Sequence, residues 1–201
     1  MSHLLRPKNA NVEAGFSAIE IMFAVAIMGI VCVIGFEAYN LALPAWRGNA
    51  GMQFLEAAVR QAREVSIDQR RNVTVTFQGT SEIVAAVQSS ATCPPSGGST
   101  STQLYDYFLP ERMVYVVFSG VPDTPDGYGN SAAVTFNCLN ATLPCTITFQ
   151  SDGSVLDGQC GSSNGSIFIG IVGQTNTSRA VTILSATGKI KGWHYTGTGW
   201  N

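Results

Sequence analysis

The residues that could support hydrolysis lie in the C-terminal part of the sequence. Gly161-Ser-Ser-Asn-Gly165 fits the pattern G-x-S-x-G, in which hydrolases present a serine, here Ser163, on a turn between a strand and a helix. No Asp or Glu follows Asp157, so the order serine, acid, histidine of that fold cannot be built. The glycine and serine residues around Ser163 are typical of a loop. A membrane-anchored hydrolase is therefore only an alternative hypothesis.

The cysteines suggest a second kind of chemistry. Cys32 lies inside an apolar run, and the other four follow much later: Cys93, Cys138, Cys145 and Cys160. None has C-x-x-C spacing, and the chain has only two histidines, so a structural zinc site is disfavoured. In an exported domain four thiols can form two disulfides, in three possible pairings. We favour Cys138–Cys145, which closes a short proline-containing loop, and a disulfide role for Cys160 over a catalytic pair with His194.

Two groups of acidic residues could offer oxygen ligands to calcium. Asp123 and Asp126 lie in one turn together with Asn130, and Asp152 and Asp157 form a second group. Neither group has EF-hand spacing, and Asp and Asn are also the usual residues of turns. We therefore predict turn-forming roles, with no metal and no cofactor, and keep Asp123 and Asp126 as the calcium candidates.

A final group combines basic and aromatic side chains near the C-terminus and could contact nucleic acid. Its members are Arg179, Lys189, Lys191 and Trp193, with His194 beside them. The formal net charge of the chain is -2, and from residue 72 onward four basic residues stand against seven acidic ones. This balance gives a global field that repels nucleic acid. DNA binding is an alternative hypothesis, and nucleic acid is a disfavoured partner.

The elements that must position these residues begin with an apolar run at residues 16–36, which contains a single charge, Glu20. As a helix rising ~1.5 Å per residue, the run spans roughly the ~30 Å hydrocarbon core of a bilayer. Arg6 and Lys8 precede it, which favours a cytoplasmic N-terminus and an exported C-terminal domain. No A-x-A cleavage site follows the run, so it does not read as an ordinary secretory signal.

Glu20 needs a cationic partner, because an acid at the centre of a membrane span costs about 2.5–3.5 kcal/mol, and somewhat less near an end. The run itself offers no basic residue. Cleavage between Gly15 and Phe16 would create an ammonium group four residues before Glu20, about one helical turn away. An acid in the first turn is also favoured by the helix dipole. A plain signal anchor that tolerates one glutamate is the alternative.

Beyond the membrane span the pattern changes twice. Pro44 predicts a kink or a partly melted stretch, after which an apolar stripe over residues 52–69 predicts a helix that packs on the C-terminal domain. Glu56 and Arg60 are spaced as a helical ion pair, and Arg70-Arg71 is expected to be a solvated helix end. Residues 89–103 are expected to form a surface loop. Short runs of β-formers predict an antiparallel domain of about eight strands at 73–77, 83–87, 113–118, 133–136, 146–149, 167–172, 180–184 and 189–195.

The N-terminal residues resemble a known family. Gly15-Phe-Ser-Ala-Ile-Glu20, followed by an uninterrupted apolar helix, resembles the class III signal of type IV prepilins and type II secretion pseudopilins. The family usually has threonine and leucine where Ser17 and Ala18 stand. The resemblance implies cleavage after Gly15 by a prepilin peptidase and N-methylation of Phe16. It also implies that Glu20 neutralises a neighbouring subunit's amine during filament assembly.

Residues 62–75, 147–153 and 179–190 resemble the GspH/FimT group of minor pseudopilins and minor pilins. The implied fold is α+β and pilin-like: a leader (1–15), an N-terminal helix (16–71, transmembrane at 16–36 and amphipathic at 44–71) and an exported antiparallel β-domain (72–201). The implied role is that of a structural subunit, not an enzyme, of a type II secretion pseudopilus or type IV pilus. Its partners would be other pilins or pseudopilins, the prepilin peptidase and the inner-membrane assembly platform. The chain would cross the bacterial inner membrane once, with its C-terminal domain in the periplasm, before joining the filament.

Overall fold

The computed structural model describes residues 16–90, 92–93, 100–110, 112–138 and 143–201. The chain divides into two compact units, one ending at Leu41 and one comprising Ala42–Asn201. A single long helix, α1 (Ala18–Asp68), contributes residues to both units. All strands of the described residues lie in antiparallel sheets of the second unit. The predicted α+β fold class, a long N-terminal helix with an antiparallel β-domain, is confirmed.

The α1 residues of the first unit form an apolar helix that is exposed on every side. Every residue from Ala18 to Leu41 is exposed, including the large apolar side chains, and the acid Glu20 lies in the first turn. By length and composition this helix could cross a membrane. A helix that is apolar all round is stable only in apolar surroundings, such as lipid or the core of a helical bundle.

The break predicted at Pro44 is not found, because α1 is helical without interruption from Ala18 to Asp68. Proline removes one backbone hydrogen bond and crowds the preceding turn. The turns that follow are held by contacts within the second unit. Arg179 donates a hydrogen bond to the carbonyl oxygen of Ala45, and Gly48 is so close to the backbone of Thr177 that an added Cβ would lie 3.0 Å from its oxygen. Tertiary contacts thus outweigh the local preference for a break.

The described residues of the second unit include nine strands, which form two sheets. The five-stranded sheet has the order β3-β2-β1-β5-β6, and the four-stranded sheet has the order β4-β7-β8-β9. The bounds of the strands are β1 Val73–Gln78, β2 Glu82–Gln88, β3 Ser101–Phe108, β4 Val114–Tyr115, β5 Cys145–Phe149, β6 Val155–Leu156, β7 Gly165–Ile171, β8 Gln174–Leu184 and β9 Lys189–His194.

Several predicted strands differ from those observed. Residues 133–136 form only an isolated bridge between Val134 and Ile167, and the run at 113–118 contributes only the two residues of β4. β3 was not predicted, and it begins at Ser101, inside the expected loop 89–103. It lies at a sheet edge, most of its side chains are exposed, and its first three residues, Ser101, Thr102 and Gln103, are polar, so its sequence continues the polar run of the expected loop.

The apolar stripe of α1 packs into the core of the second unit as predicted. Its buried residues are Leu55, Ala58, Val59 and Ala62. They share one cluster with apolar side chains from both sheets, such as Phe77, Ile147, Ile169 and Ile183. The Tyr105 hydroxyl donates a hydrogen bond of 2.6 Å to the carbonyl oxygen of Ala58, and burial raises the pKa of Tyr105. The predicted pair forms, with Arg60 Nη2 at 3.3 Å from Glu56 Oε2.

Candidate functional site

The N-terminal end of α1 places Glu20 in the first turn of the helix. The carbonyl oxygen of Ser17 accepts hydrogen bonds from the backbone N–H groups of Glu20 (3.0 Å) and Ile21 (3.2 Å). Phe16 is highly exposed and lies two residues before the start of α1, with three residues between it and Glu20. Gly15, the predicted processing residue, lies outside the described residues. Glu20 is exposed in this first turn, where the helix dipole favours a negative charge.

The four cysteines of the second unit form two disulfides. The pairs are Cys138–Cys145, with 5.0 Å between the Cα atoms, and Cys93–Cys160, with 5.5 Å. The first is the pairing favoured from the sequence. Because Cys160 is bonded to Cys93, its sulfur is not a free thiolate, and the alternative of a Cys160–His194 catalytic pair does not hold. Cys32, in the apolar helix, is free.

Removing the Cys138–Cys145 disulfide should destabilise the second unit modestly. The bond links residues only seven apart, and the loop-closure estimate for a loop of that size is about 2 kcal/mol of unfolding free energy. We expect the double variant Cys138→Ser/Cys145→Ser of the fragment Ala42–Asn201 to lose that amount in urea unfolding. The untreated parent, checked by thiol titration for two intact disulfides, is the control. An unchanged unfolding midpoint would contradict the prediction.

The G-x-S-x-G segment is a loop organised by Asp157, a buried carboxylate. Its Oδ1 accepts hydrogen bonds from the backbone N–H groups of Gln159 (2.9 Å) and Gly161 (2.7 Å), and its Oδ2 accepts one from the Ser163 hydroxyl (2.9 Å). The segment leads into strand β7 at Gly165, and not into a helix. The strand–turn–helix context of a serine nucleophile is therefore missing, as predicted.

The carboxylates of the two calcium candidates accept hydrogen bonds from other groups of the protein. The two oxygens of Asp123 accept hydrogen bonds from the backbone N–H groups of Thr124 and Gly129, each 2.7 Å. Oδ2 of Asp126 accepts hydrogen bonds from the Thr182 hydroxyl (2.6 Å) and the Trp193 indole (3.0 Å). Within the described ranges no group of three or more His, Cys, Asp or Glu residues could hold a metal ion. Both carboxylates shape the loop over β8 and β9.

The prediction that Arg179 belongs to a nucleic-acid surface is wrong, because its side chain is fully buried. Its Nε donates to Asn49 Oδ1 at 2.8 Å, and its Nη2 donates to the carbonyl oxygen of Ala45 at 3.2 Å. Its Nη1 donates to the carbonyl oxygens of Ser178 (2.7 Å) and Asn176 (3.1 Å). Burial lowers the pKa of Arg179 to about 10, so the guanidinium keeps its charge at neutral pH. Arg179 fastens α1 to β8 and cannot reach a ligand in solvent.

Among the remaining residues, His194 lies on a different face of β9 from Lys189, Lys191 and Trp193. Side chains alternate between the two faces of a strand, and Arg179 pairs with His194 on the face toward α1. Trp193 faces the other way and is only 8% exposed, with Lys191 Nζ 3.4 Å from the centre of its ring. Burial, and then the charge of Arg179, lower the pKa of His194. Lys189 and Lys191 are thus the only two of the four proposed residues that solvent reaches freely.

Two anchoring contacts between α1 and the sheets were missed in the sequence. Besides Arg179 with Asn49, Arg63 donates hydrogen bonds to the carbonyl oxygens of Gly153 (3.3 Å) and Thr187 (3.1 Å). The partners lie about 90 to 130 positions away in the chain. No spacing rule connects residues so far apart, so the sequence carries no signal for either contact.

No model of a protein family matches this sequence, and no curated protein matches it at a significant level. The chain is similar to solved structures of two related kinds. One is the type IV minor pilin FimU of Pseudomonas aeruginosa strain PAO1, at 15% sequence identity and a TM-score of 0.46, covering 71% of this chain and 85% of FimU. A second crystal form of FimU gives 16% identity and a TM-score of 0.46, covering 72% of this chain and 90% of FimU. Another is the minor pseudopilin EpsH from the type 2 secretion system of Vibrio cholerae, at 14% identity and a TM-score of 0.45, covering 76% of this chain and 99% of EpsH.

Proposed function

We propose that this chain is a minor pseudopilin or minor pilin: a structural, non-enzymatic subunit of a type II secretion pseudopilus or a type IV pilus. Residues 16–36 anchor it in the bacterial inner membrane, with the N-terminus cytoplasmic and the second unit in the periplasm. The subunit then leaves the membrane and joins a filament through its N-terminal helix. Its partners are other pilins or pseudopilins, the prepilin peptidase and the assembly platform.

The observation that carries this proposal is the exposed apolar surface of the part of α1 that lies in the first unit. From Ala18 to Leu41 the helix exposes apolar side chains on every face, and its one acid before Glu37 is Glu20 in the first turn. Lipid can cover such a surface, and so can the equivalent helices of neighbouring subunits. A filament whose core is a bundle of these helices covers the same surface after the subunit has left the membrane.

The carboxylate of Glu20 favours transfer from the membrane to the filament, because it finds a cationic partner there. Cleavage after Gly15 exposes the amine of Phe16, which the peptidase partner then N-methylates, and a secondary amine still carries a positive charge at neutral pH. Glu20 and the amine of a neighbouring subunit form an ion pair in surroundings where each charge alone is costly. Assembly therefore pairs the Glu20 carboxylate with the N-terminal amine of the neighbouring subunit. The two groups meet only when the subunits are displaced along the filament axis by the correct distance.

Mass spectrometry of the chain extracted from membranes tests the processing step. We expect the N-terminal peptide to begin at Phe16 and to carry one methyl group on its amine. A Gly15→Leu variant, in which a bulky side chain replaces the small residue before the cut, should retain the leader and serves as the control. Recovery of only the form that starts at Met1, in cells whose prepilin peptidase processes its other substrates, would refute the proposed function.

A further inference from the structure

As far as the structure describes the second unit, its sheets have four edges, and three of them are protected against pairing with another strand. β4 and β6 are only two residues long, and β9 carries Lys189 and Lys191. Short edges and edge lysines are common means of preventing strand addition. β3 (Ser101–Phe108) is different, because it is eight residues long and contains no lysine, arginine or proline. In the described part of the chain it has a single strand neighbour, β2.

The hydrogen-bond register shows which backbone groups of β3 face the open edge. Leu109 donates its N–H to the carbonyl oxygen of Ser81 at 2.8 Å, just before the pair Glu82↔Phe108 begins the ladder. In antiparallel pairs, residues that bond to the neighbour alternate with residues whose N–H and C=O point away from it. Phe108 and Asp106 are therefore the outward-facing residues. Their N–H and C=O groups are available to a further strand.

The C-terminal half of β3 also presents apolar side chains, Tyr107 on the face toward α1 and Phe108 on the opposite face. Phe108 is 61% exposed and Tyr107 is 37% exposed. The Tyr107 ring stacks on Tyr105, with 4.5 Å between ring centres, and lies 5.7 Å from the ring of Phe54 in α1. Packing from α1 holds Tyr107 in place, so little side-chain entropy is lost when a partner covers it.

The N-terminal half of β3 borders a groove of about 260 Å³ with a positive charge at its side. Residues that follow α1 (Gln69 and Arg71) and β2 (Ser89) line it, together with Thr102 and Leu104 of β3. Arg71 is exposed, and none of the described residues that line this groove is acidic. A carboxylate entering here would meet the exposed guanidinium group of Arg71, and guanidinium groups bind carboxylates through paired hydrogen bonds.

We propose that the open edge of β3 binds an extended segment of a partner protein by antiparallel strand addition. Every pair in both sheets of this protein is antiparallel, and an antiparallel segment would run from Phe108 toward Ser101. Its first residues, which are apolar, cover Tyr107 and Phe108, and its last residue or C-terminus places a carboxylate beside Arg71. This edge lies in the second unit and does not depend on the filament role proposed above.

A synthetic octapeptide tests this with the full chain in detergent micelles. The probe is Ile-Val-Tyr-Val-Thr-Ser-Thr-Asp with a free C-terminal carboxylate and a fluorescent N-terminal label, followed by anisotropy. We expect saturable binding, together with slower hydrogen exchange at the amides of Asp106 and Phe108. Asp106→Pro removes an outward N–H that β2 does not use, and should weaken binding about tenfold. Asp106→Ala keeps that N–H and should bind at least as well as the parent.

A second comparison independently tests the contact between the carboxylates of the peptide and Arg71. Amidating the C-terminus and replacing the terminal Asp by Asn in the peptide should weaken binding several-fold in the parent chain. Arg71→Gln should remove this difference, whereas Arg70→Gln, at the neighbouring exposed arginine outside the groove, should retain it. These variants lie at the helix end and leave the ladder between β2 and β3 untouched.

Three results would overturn the proposal. The first is the absence of saturable binding, and the second is equal binding by Asp106→Pro and Asp106→Ala. If Asp106→Pro does not fold, a peptide N-methylated at alternate amides replaces it, and equal affinity of that peptide would be the same refutation. The third is a dimer that forms without peptide and is lost in Asp106→Pro, since the occupant would then be a second copy of this chain.

Discussion

Glu20→Ala is expected to lower the amount of this chain recovered in sheared filaments by roughly two orders of magnitude. The variant leaves the N-terminal amine of a neighbouring subunit without a partner, and an unpaired charge in apolar surroundings costs about 2.5–3.5 kcal/mol. The variant keeps an apolar first turn that suits lipid at least as well as the parent does, so membrane insertion should be unchanged. Processing at Phe16 should also be retained, which separates loss of assembly from loss of cleavage. The measurement is immunodetection of the subunit in filament and membrane fractions.

Glu37→Ala is the matched control for this experiment. Glu37 lies on the same helix and is equally exposed, but it follows the apolar run and is reached by water. Its removal should leave recovery in filaments within about twofold of the parent. Parent-level recovery of Glu20→Ala would contradict the pairing of Glu20 with a neighbouring amine. A similar loss in both variants would show that the helix needs acidic residues in general, and not the one in the first turn.

Arg179→Met should lower the unfolding free energy of the fragment Ala42–Asn201 by about 3 kcal/mol, because it leaves buried acceptors without donors. Methionine fills most of the space of the arginine stem but cannot donate to Asn49 Oδ1 or to the carbonyl oxygen of Ala45. The start of the packed part of α1 thus loses its attachment to β8. Urea unfolding followed by tryptophan fluorescence measures the change, and Arg70→Met, at an exposed arginine, should change stability by no more than about 0.5 kcal/mol.

A double-mutant cycle with Asn49→Ala tests whether the attachment to α1 carries the effect. The two side chains share a 2.8 Å hydrogen bond, so their individual costs should not add, and we expect a coupling energy of about 1–2 kcal/mol. Additive costs would mean that Arg179 acts through its contacts within β8 alone. A fully stable Arg179→Met variant would refute the role of Arg179 as an anchor between helix and sheet.

Local patterns predicted much of this fold correctly. The apolar period of α1 and the runs of β-formers at β1, β5 and β9 are properties of residues close together in the chain. The Cys138–Cys145 pair could be predicted for the same reason, since a short loop brings those cysteines together. Local rules failed where an element depends on distant neighbours. β3 is a strand because β2 pairs with it, and α1 stays helical past Pro44 because Arg179 and the backbone of Thr177 hold the turns that follow.

The candidate sites show the same division. By itself, the sequence determined that one acid, Glu20, stands in an apolar helix, because hydropathy and charge are read residue by residue. It could not determine which face of β8 carries Arg179, because a strand places alternate residues on opposite faces and only packing decides which face α1 covers. Nor could it determine that β3 is an open edge, since the order of strands in a sheet is fixed by contacts between residues far apart in the chain. The single acid of the apolar run could therefore be identified from the sequence, whereas the burial of Arg179 and the open edge of β3 were decided only by the tertiary structure.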